Sequence, residues 1–281
     1  MTTAIATVAA DPGTTADLER RFGGLRRLYG EVGYARLRAS RVAVVGLGGV
    51  GSWAVEALAR SGVAGLVLID FDHVAESNVN RQVHALDVTM GQAKVDALAD
   101  RIASIHPGCE VRRIDDFATE ANWPALLPCE VDVVIDACDD TRAKAAIAGG
   151  ALKGRYQLVM SGAAGGKRRP QAVEVADLAE VTHDPLLAAV RQRLRRQTTS
   201  SRADGVARRR WGIGCVFSRE PVQRAPVDAC AVPSNSLNCN GFGSSVAVTA
   251  AFGLAAAAQA IELVVAEPLP VAQSARAAHL A

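Results

Sequence analysis

Arg41-Val42-Ala43-Val44-Val45-Gly46-Leu47-Gly48-Gly49-Val50-Gly51-Ser52-Trp53 is the stretch on which the reading of the chain turns. Arg41 to Val45 reads as a short buried strand, and Ser52 to Ser61, rich in Ala, Leu and Glu, as a helix. Between them the glycines satisfy G-x-G-x-x-G. Glycine lets backbone amides approach a phosphate at the positive end of the following helix. Strand, glycine turn and helix together make the first unit of a Rossmann-type fold, but the motif alone leaves NAD and ATP open.

Working outward, further short apolar strands are expected at Leu66–Ile69, Val111–Ile114, Val131–Ile135 and Leu158–Met160, with a helix over Gln92–Ile105. Three of these strands run into acidic residues, Asp70, Asp115 and Asp136, and in open α/β sheets ligands bind at such carboxyl ends. After the Ser161–Gly166 run the βα alternation fades. Two more strands are expected, near Val173–Val175 and Gly214–Phe217, with a helix and a basic loop between them. Upstream, Leu18–Leu37 has helical apolar spacing and many arginines, as an amphipathic arm. The expected fold class is α/β: a Rossmann-type, largely parallel sheet with helices on both faces, extended by strands and helices in the C-terminal half. Residues 1–17 are expected to be disordered and 266–281 to form a flexible tail. Between them 18–265 is expected to be one domain, with a nucleotide-binding part of about 40–165 and a substrate and dimer part of about 166–265.

Composition narrows the function. The chain has 281 residues, 49% of them hydrophobic but only 4% aromatic, which suits small helices packed closely on a parallel sheet. A net charge of +2 gives no whole-molecule case for nucleic-acid binding, so basic residues must be weighed locally. The first fifteen residues lack the basic flank and apolar run of a secretory signal, and a cytoplasmic protein is expected. None of the six cysteines forms a C-x-x-C pair, and the five histidines lack ligand spacing, so no zinc site is expected and the histidines read as structural or surface residues. Gly241 to Ala258 carries no charge and approaches a membrane-spanning length. Its alanine and glycine content favours a buried helix over membrane association through 241–260.

The residues beyond the glycine turn separate the two nucleotides. Asp70 ends the second strand where a carboxylate usually accepts from ribose hydroxyls. It is followed by Asp72, then by Ser77-Asn78-Val79-Asn80-Arg81-Gln82, then by Lys94. NAD needs only its bridging pyrophosphate accommodated, whereas a triphosphate brings extra charge for Arg81 and Lys94 to neutralise. ATP is the better fit. Asp136-Ala137-Cys138-Asp139-Asp140 brings carboxylates to the same edge, and Mg²⁺ prefers oxygen ligands, Asp139 first among them. Singly, each of these residues fits a helix cap or a solvated face. Their recurrence at successive strand ends is what argues for a site.

These same residues, Gly46 to Ser52, Asp70-x-Asp72, Asn78-x-Asn80-Arg81-Gln82, Lys94 and Asp139, resemble the ubiquitin-activating-like ThiF/MoeB adenylating enzymes. The segments Arg21-Phe22-Gly23-Gly24, Leu28-Tyr29-Gly30, Arg81 to Leu86, Gly162 to Gly166 and Cys215 to Ser218 resemble the tRNA threonylcarbamoyladenosine dehydratase branch. The resemblance covers most of the chain. It implies a homodimer that uses ATP and Mg²⁺ to adenylate the threonyl carboxylate of threonylcarbamoyladenosine beside the tRNA anticodon, with intramolecular cyclisation by the carbamoyl group. It implies catalytic roles for Arg81, Lys94 and Asp139, and nucleotide contacts from Gly46, Gly48, Gly49, Gly51, Asp70, Asp72, Asn78 and Gln82. It also implies an association with a cysteine-desulfurase and sulfur-acceptor system. The family usually begins Arg-aromatic-x-Arg, with the second arginine reaching the partner subunit's ATP. Here Gly24 holds that position, which leaves Arg21 or Arg27 for the trans contact.

Two further patterns bear on substrate. Arg191 to Arg210 holds eight arginines against Asp204, and Lys167-Arg168-Arg169 adds a second cluster; both read as tRNA backbone contacts, with Arg208, Arg209 and Arg210 foremost. A solvated loop has the same charge pattern. Cys138 and Cys215 read as small strand residues in the core, and Cys230 and Cys239 as loop cysteines open to a covalent role. The alternative functions are adenylation of the C-terminal glycine of a small sulfur-carrier protein, which the absent C-x-x-C pairs disfavour, and a membrane-associated sulfur-relay adaptor.

Overall fold

The computed structural model describes residues 16–199, 210–223 and 242–266. Seven strands form one sheet: β1 (Arg41–Val45), β2 (Gly65–Ile69), β3 (Glu110–Ile114), β4 (Val133–Asp136), β5 (Gln157–Ser161), β6 (Val173–Asp177) and β7 (Gly214–Ser218). Their order is β3-β2-β1-β4-β5-β7-β6. All neighbours are parallel except the antiparallel edge pair β6–β7. The order reverses between β1 and β4, where successive connections leave on opposite faces and open a crevice.

The helices are α1 (Leu18–Phe22), α2 (Gly24–Ala39), α3 (Gly51–Arg60), α4 (Lys94–Ile105), α5 (Thr141–Leu152), α6 (Pro185–Thr199) and α7 (Val246–Val265). One face of the sheet packs on α2, α3, α4 and α7 through Leu37, Val55, Leu58, Leu98 and Phe252. The other packs on α5 and α6 through Ile147, Leu187 and Val190, with Trp123, Tyr156 and Trp211. Both faces are covered, so β1 and β2 read as continuous apolar runs instead of alternating.

The amphipathic arm is divided into α1 and α2, and α2 is kinked at Gly30, whose φ of 70° lies outside the helical region. The uncharged segment forms α7, which buries Val248, Thr249, Phe252, Gly253, Ala256, Ala257, Ala260 and Ile261. Steps of three, four and one define a single helical face against the sheet and α3. α7 is long and apolar enough to cross a membrane, and this face explains its composition without one. A Cβ at Gly253 would collide with Val50 O, so glycine sets the close approach of α7 to α3.

Two sequence readings are corrected. Arg191, Arg193, Arg195 and Arg196 lie on α6 and not in a loop, and Cys138 stands two residues past the end of β4, outside the ladder.

Candidate functional site

The crevice is built first from backbone. Gly46 follows β1 with φ 83°, and a Cβ there would press on Ala137 and on Cys138 N at 2.8 Å. A Cβ on Gly51 would collide with Gly46 O, and one on Gly49 would meet Thr249 of α7 at 3.1 Å and Arg81 Cγ at 3.2 Å. At Gly48 it would meet nothing within 4 Å. The turn is therefore closed on three sides and open at Gly48, with the N-terminus of α3 behind it. That is the geometry of an anion site.

Asp70 follows β2 and braces this turn. Its Oδ2 accepts from Leu47 N at 2.6 Å and its Oδ1 from Asp72 N at 2.8 Å. Burial raises the Asp70 carboxyl above its ordinary range, against the pull of Lys94 and the two amides. Lys94 opens α4, with Nζ 2.7 Å from Asp72 Oδ2 and 3.8 Å from Asp70 Oδ1. Its side chain is 4% exposed while that of Asp72 is 44% exposed.

Between them the Asn78–Gln82 segment holds itself. Asn78 Oδ1 accepts from Ala75 N at 3.1 Å. Its backbone carbonyl accepts from the amides of Arg81 and Gln82. Arg81 Nη1 donates to Ser77 O at 2.6 Å and to Asn80 Oδ1 at 2.9 Å. The arginine is half-buried and keeps further N–H groups for a ligand. Gln82 is buried, its Oε1 without a partner among the described residues. Asn80 Nδ2 donates to Ser244 O, and Val246 N to Asn80 O, which ties this segment to the start of α7.

At the end of β4 the acidic run splits. Asp140 caps α5, accepting from Ala143 N at 2.7 Å. Asp139 is exposed. Asp136, grouped with Asp139 on sequence, turns inward instead. Its Oδ1 lies 3.1 Å from Lys144 Nζ, and both side chains are 0% exposed. Lys144 also donates to Ser161 O at 2.8 Å and Asp136 O at 3.2 Å, locking the ends of β4 and β5 together. Burial opposes the charge on Lys144, but the attraction of Asp136 outweighs it and holds the ammonium above its ordinary range. Cys138 Sγ donates to Asp136 Oδ1 at 3.0 Å. Burial, reinforced by that carboxylate, pushes the thiol well up, and burial does the same to Cys215. Neither is a ready thiolate.

Lys144 was missed on sequence. The available signal was a lone lysine among Ala143, Ala145, Ala146 and Ile147.

The remaining candidates lie elsewhere. Arg21 Nη1 donates to Ile105 O, away from the glycine turn, whereas Arg27 is exposed. Lys167, expected in an exposed basic cluster, is buried and donates to Ser218 O and Glu220 O. Arg191 donates to Leu178 O and Val181 O, Arg193 pairs with Glu120 and Arg210 with Glu180. Arg208, Arg209, Cys230 and Cys239 lie outside the described residues. Of the histidines, His84 and His106 are buried and His73 and His183 exposed. Among the described residues no group of three or more His, Cys, Asp or Glu could hold a metal by itself.

Fold and crevice define a doubly wound α/β protein whose glycine turn, flanked by Asp70, Arg81, Lys94 and Asp139, opens at the switch point of the sheet. The ThiF family model matches residues 21–280, and the chain belongs to the ThiF family. The tRNA threonylcarbamoyladenosine dehydratase of Haemophilus influenzae is 40% identical over 245 residues, covering 87% of this chain and 93% of that relative. The Escherichia coli enzyme of the same name is 39% identical over 259 residues, 88% and 94% of the two chains. A crystal structure of the Escherichia coli protein, TcdA, in complex with ATP superposes with a TM-score of 0.76 at 38% identity, over 89% of this chain and 96% of that one; a complex with AMP matches equally.

Proposed function

We propose that this chain is an ATP-dependent tRNA threonylcarbamoyladenosine dehydratase. The observation that carries the reading is the open glycine turn with Arg81, Lys94 and Asp139 around it, in a chain that matches enzymes of that name along nearly its whole length. In the first step a threonyl carboxylate oxygen attacks the α-phosphorus of ATP and pyrophosphate leaves. In the second the carbamoyl group attacks the acyl carbon, AMP departs with the original carboxylate oxygen, and water is removed in net terms. Good alignment of the internal nucleophile contributes about 7–11 kcal/mol to such a closure.

The residues divide this work. Gly46, Gly48, Gly49 and Gly51 bring amides and the N-terminus of α3 to the phosphates. Asp72 is the freer carboxylate for the ribose, because both oxygens of Asp70 already accept from amides. Arg81 and Lys94 offset phosphate charge, and Asn78 and Gln82 shape the mouth. Among the described residues the exposed Asp139 carboxylate makes no hydrogen bond or ion pair, and an open hard-oxygen donor beside a phosphate pocket fits Mg²⁺, which takes one or two carboxylates plus phosphate oxygens. When bound, that ion would offset charge at the α-phosphate. Arg27 is better placed than Arg21 for a trans contact in a homodimer, since Arg21 is engaged with Ile105 O. The arginines of α6 and the 208–210 run are assigned to the tRNA backbone. The 40–165 part serves the nucleotide and the 166–265 part the substrate and the dimer, in a cytoplasmic protein.

The test is incubation with ATP, Mg²⁺ and threonylcarbamoyl-modified tRNA, with mass spectrometry of the nucleoside. Loss of the mass of one water is expected. Asp139→Ala and Arg81→Ala should abolish it, with a fall of at least about a hundredfold, while tRNA binding stays nearly intact. Activity near wild type in either variant sinks the assigned roles. AMP formation that depends on a small carrier protein and ignores tRNA would instead establish the carrier reading.

A further inference from the structure

A groove of about 670 Å³ lies outside the crevice, between α1, the last residue of α3 and the later turns of α4. The ten residues from Gly51 to Arg60 put roughly 14 Å of helix between its rim and the glycine turn. His84 lies at its floor, 1% exposed, and among the described residues neither ring nitrogen has a partner. A neutral imidazole presents one N–H and one lone pair, and burying both unpaired is costly enough that native structures rarely do so without a bound molecule.

The rim is cationic and pre-oriented. Arg101 Nε and Nη2 donate to Glu56, Arg60 Nε donates to the same carboxylate, and Arg21 Nη1 donates to Ile105 O. Each guanidinium is held by one edge and keeps other N–H groups for a ligand. Against these three charges stand Asp100 on the wall and the buried Glu56 behind it, which leaves the groove net positive.

We propose that this groove is a second ligand site, taking a phosphate group that engages His84 at the floor and the guanidinium groups of Arg21, Arg60 and Arg101 at the mouth. Guanidinium groups pair with phosphate in a bidentate, directional way, which a single acidic side chain on the wall does not offset. Burial, then the nearby Lys94 and Arg101, lowers the imidazole to a pKa of about 4, so an anion there relieves the field that keeps it neutral. His84 stands three residues after Arg81, and its carbonyl accepts from Thr89 Oγ1. An occupant therefore rests against the back of the segment that carries Arg81. The phosphate is that of a small free molecule or of a polynucleotide backbone.

The experiment uses full-length protein with ¹⁵N-labelled histidine, its crevice saturated with AMP, titrated with inorganic phosphate. The ring signals of His84 are assigned by their loss in His84→Gln. A saturable shift of those signals is expected, with affinity lowered about tenfold in Arg60→Gln and in Arg101→Gln while AMP affinity is unchanged. Displacement of phosphate from His84 by tRNA identifies a backbone phosphate; retention identifies a free one. No saturable shift, equal affinity in Arg60→Gln, or a His84 signal that follows protein concentration instead of phosphate overturns the proposal, the last because a second copy then covers the groove. A chain that shifts with phosphate but does not bind AMP would sink the nucleotide reading and leave this one standing.

Discussion

Two lysine–aspartate pairs stand at the ends of β2 and β4, the strands on either side of β1. Lys144 and Asp136 are both 0% exposed, and Lys144 is further held by Asp136 O and Ser161 O. Lys94 is almost as buried at 4%, but its partner Asp72 is 44% exposed. The lysines scarcely differ in burial, so burial alone does not say which is available to a ligand. The partner does: Asp72 can turn to solvent, whereas Asp136 is enclosed with Lys144 and Cys138 and cannot. The first pair can exchange contacts with a bound nucleotide, and the second is a fastener.

Breaking the fastener should have the largest effect. Lys144→Met leaves Asp136 buried without its cation and should cost about 3–5 kcal/mol in urea unfolding. Adding Asp136→Asn should recover much of that loss, because the uncompensated charge goes with it. A loss under about 1 kcal/mol in the single variant would erase the distinction between the pairs.

His84 sharpens the contrast as a buried titratable group whose ring nitrogens have no partner among the described residues. Its folded pKa of about 4 lies below the unfolded value of 6.5. The unfolded chain therefore binds the proton first as pH falls, so the neutral ring's contribution is complete above about pH 6.5 and is lost on the way to 4. Between pH 7 and 5 the wild type should lose about 2 kcal/mol that His84→Gln does not lose, read from urea midpoints at the two pH values.

Lys94→Met should cost less in stability, about 1 kcal/mol, because amides already satisfy Asp70 and Asp72 can turn outward. The ATP-induced rise in melting temperature should disappear in the same variant. A stability loss as large as that of Lys144→Met would show that Lys94 is a fastener too. Smallest of all, Arg210→Ala removes an exposed pair with Glu180 and should change stability by less than about 0.5 kcal/mol in the same unfolding assay.

What was legible in the sequence is what is local. The turn from Gly46 to Gly51 and the acids at the ends of β2 and β4 are written within a few residues of each strand, and Asp70 braces that turn through Leu47 N. The direction in which Asp136 points was not legible. It depends on Lys144 in the first turn of α5 and on a carbonyl of β5, contacts that no strand-end pattern encodes. The same limit applies to the basic cluster. Lys167 looks like its neighbours Arg168 and Arg169 in sequence, but carbonyls at 218 and 220 draw it inside. The antiparallel β6–β7 edge depends on pairing across nearly forty residues and carries no local signature.

The contact of Thr249 with Gly49, and of Gly253 with Val50 and Trp53, has a consequence for how the protein is made. The glycine turn leaves the ribosome well before the helix that walls it, because β2 to β7 are all synthesised between the two. A nascent chain stopped before Val246 carries the whole glycine turn and lacks its wall. Nucleotide binding is thereby deferred until α7 has been made, and products truncated before it should not compete for the nucleotide pool.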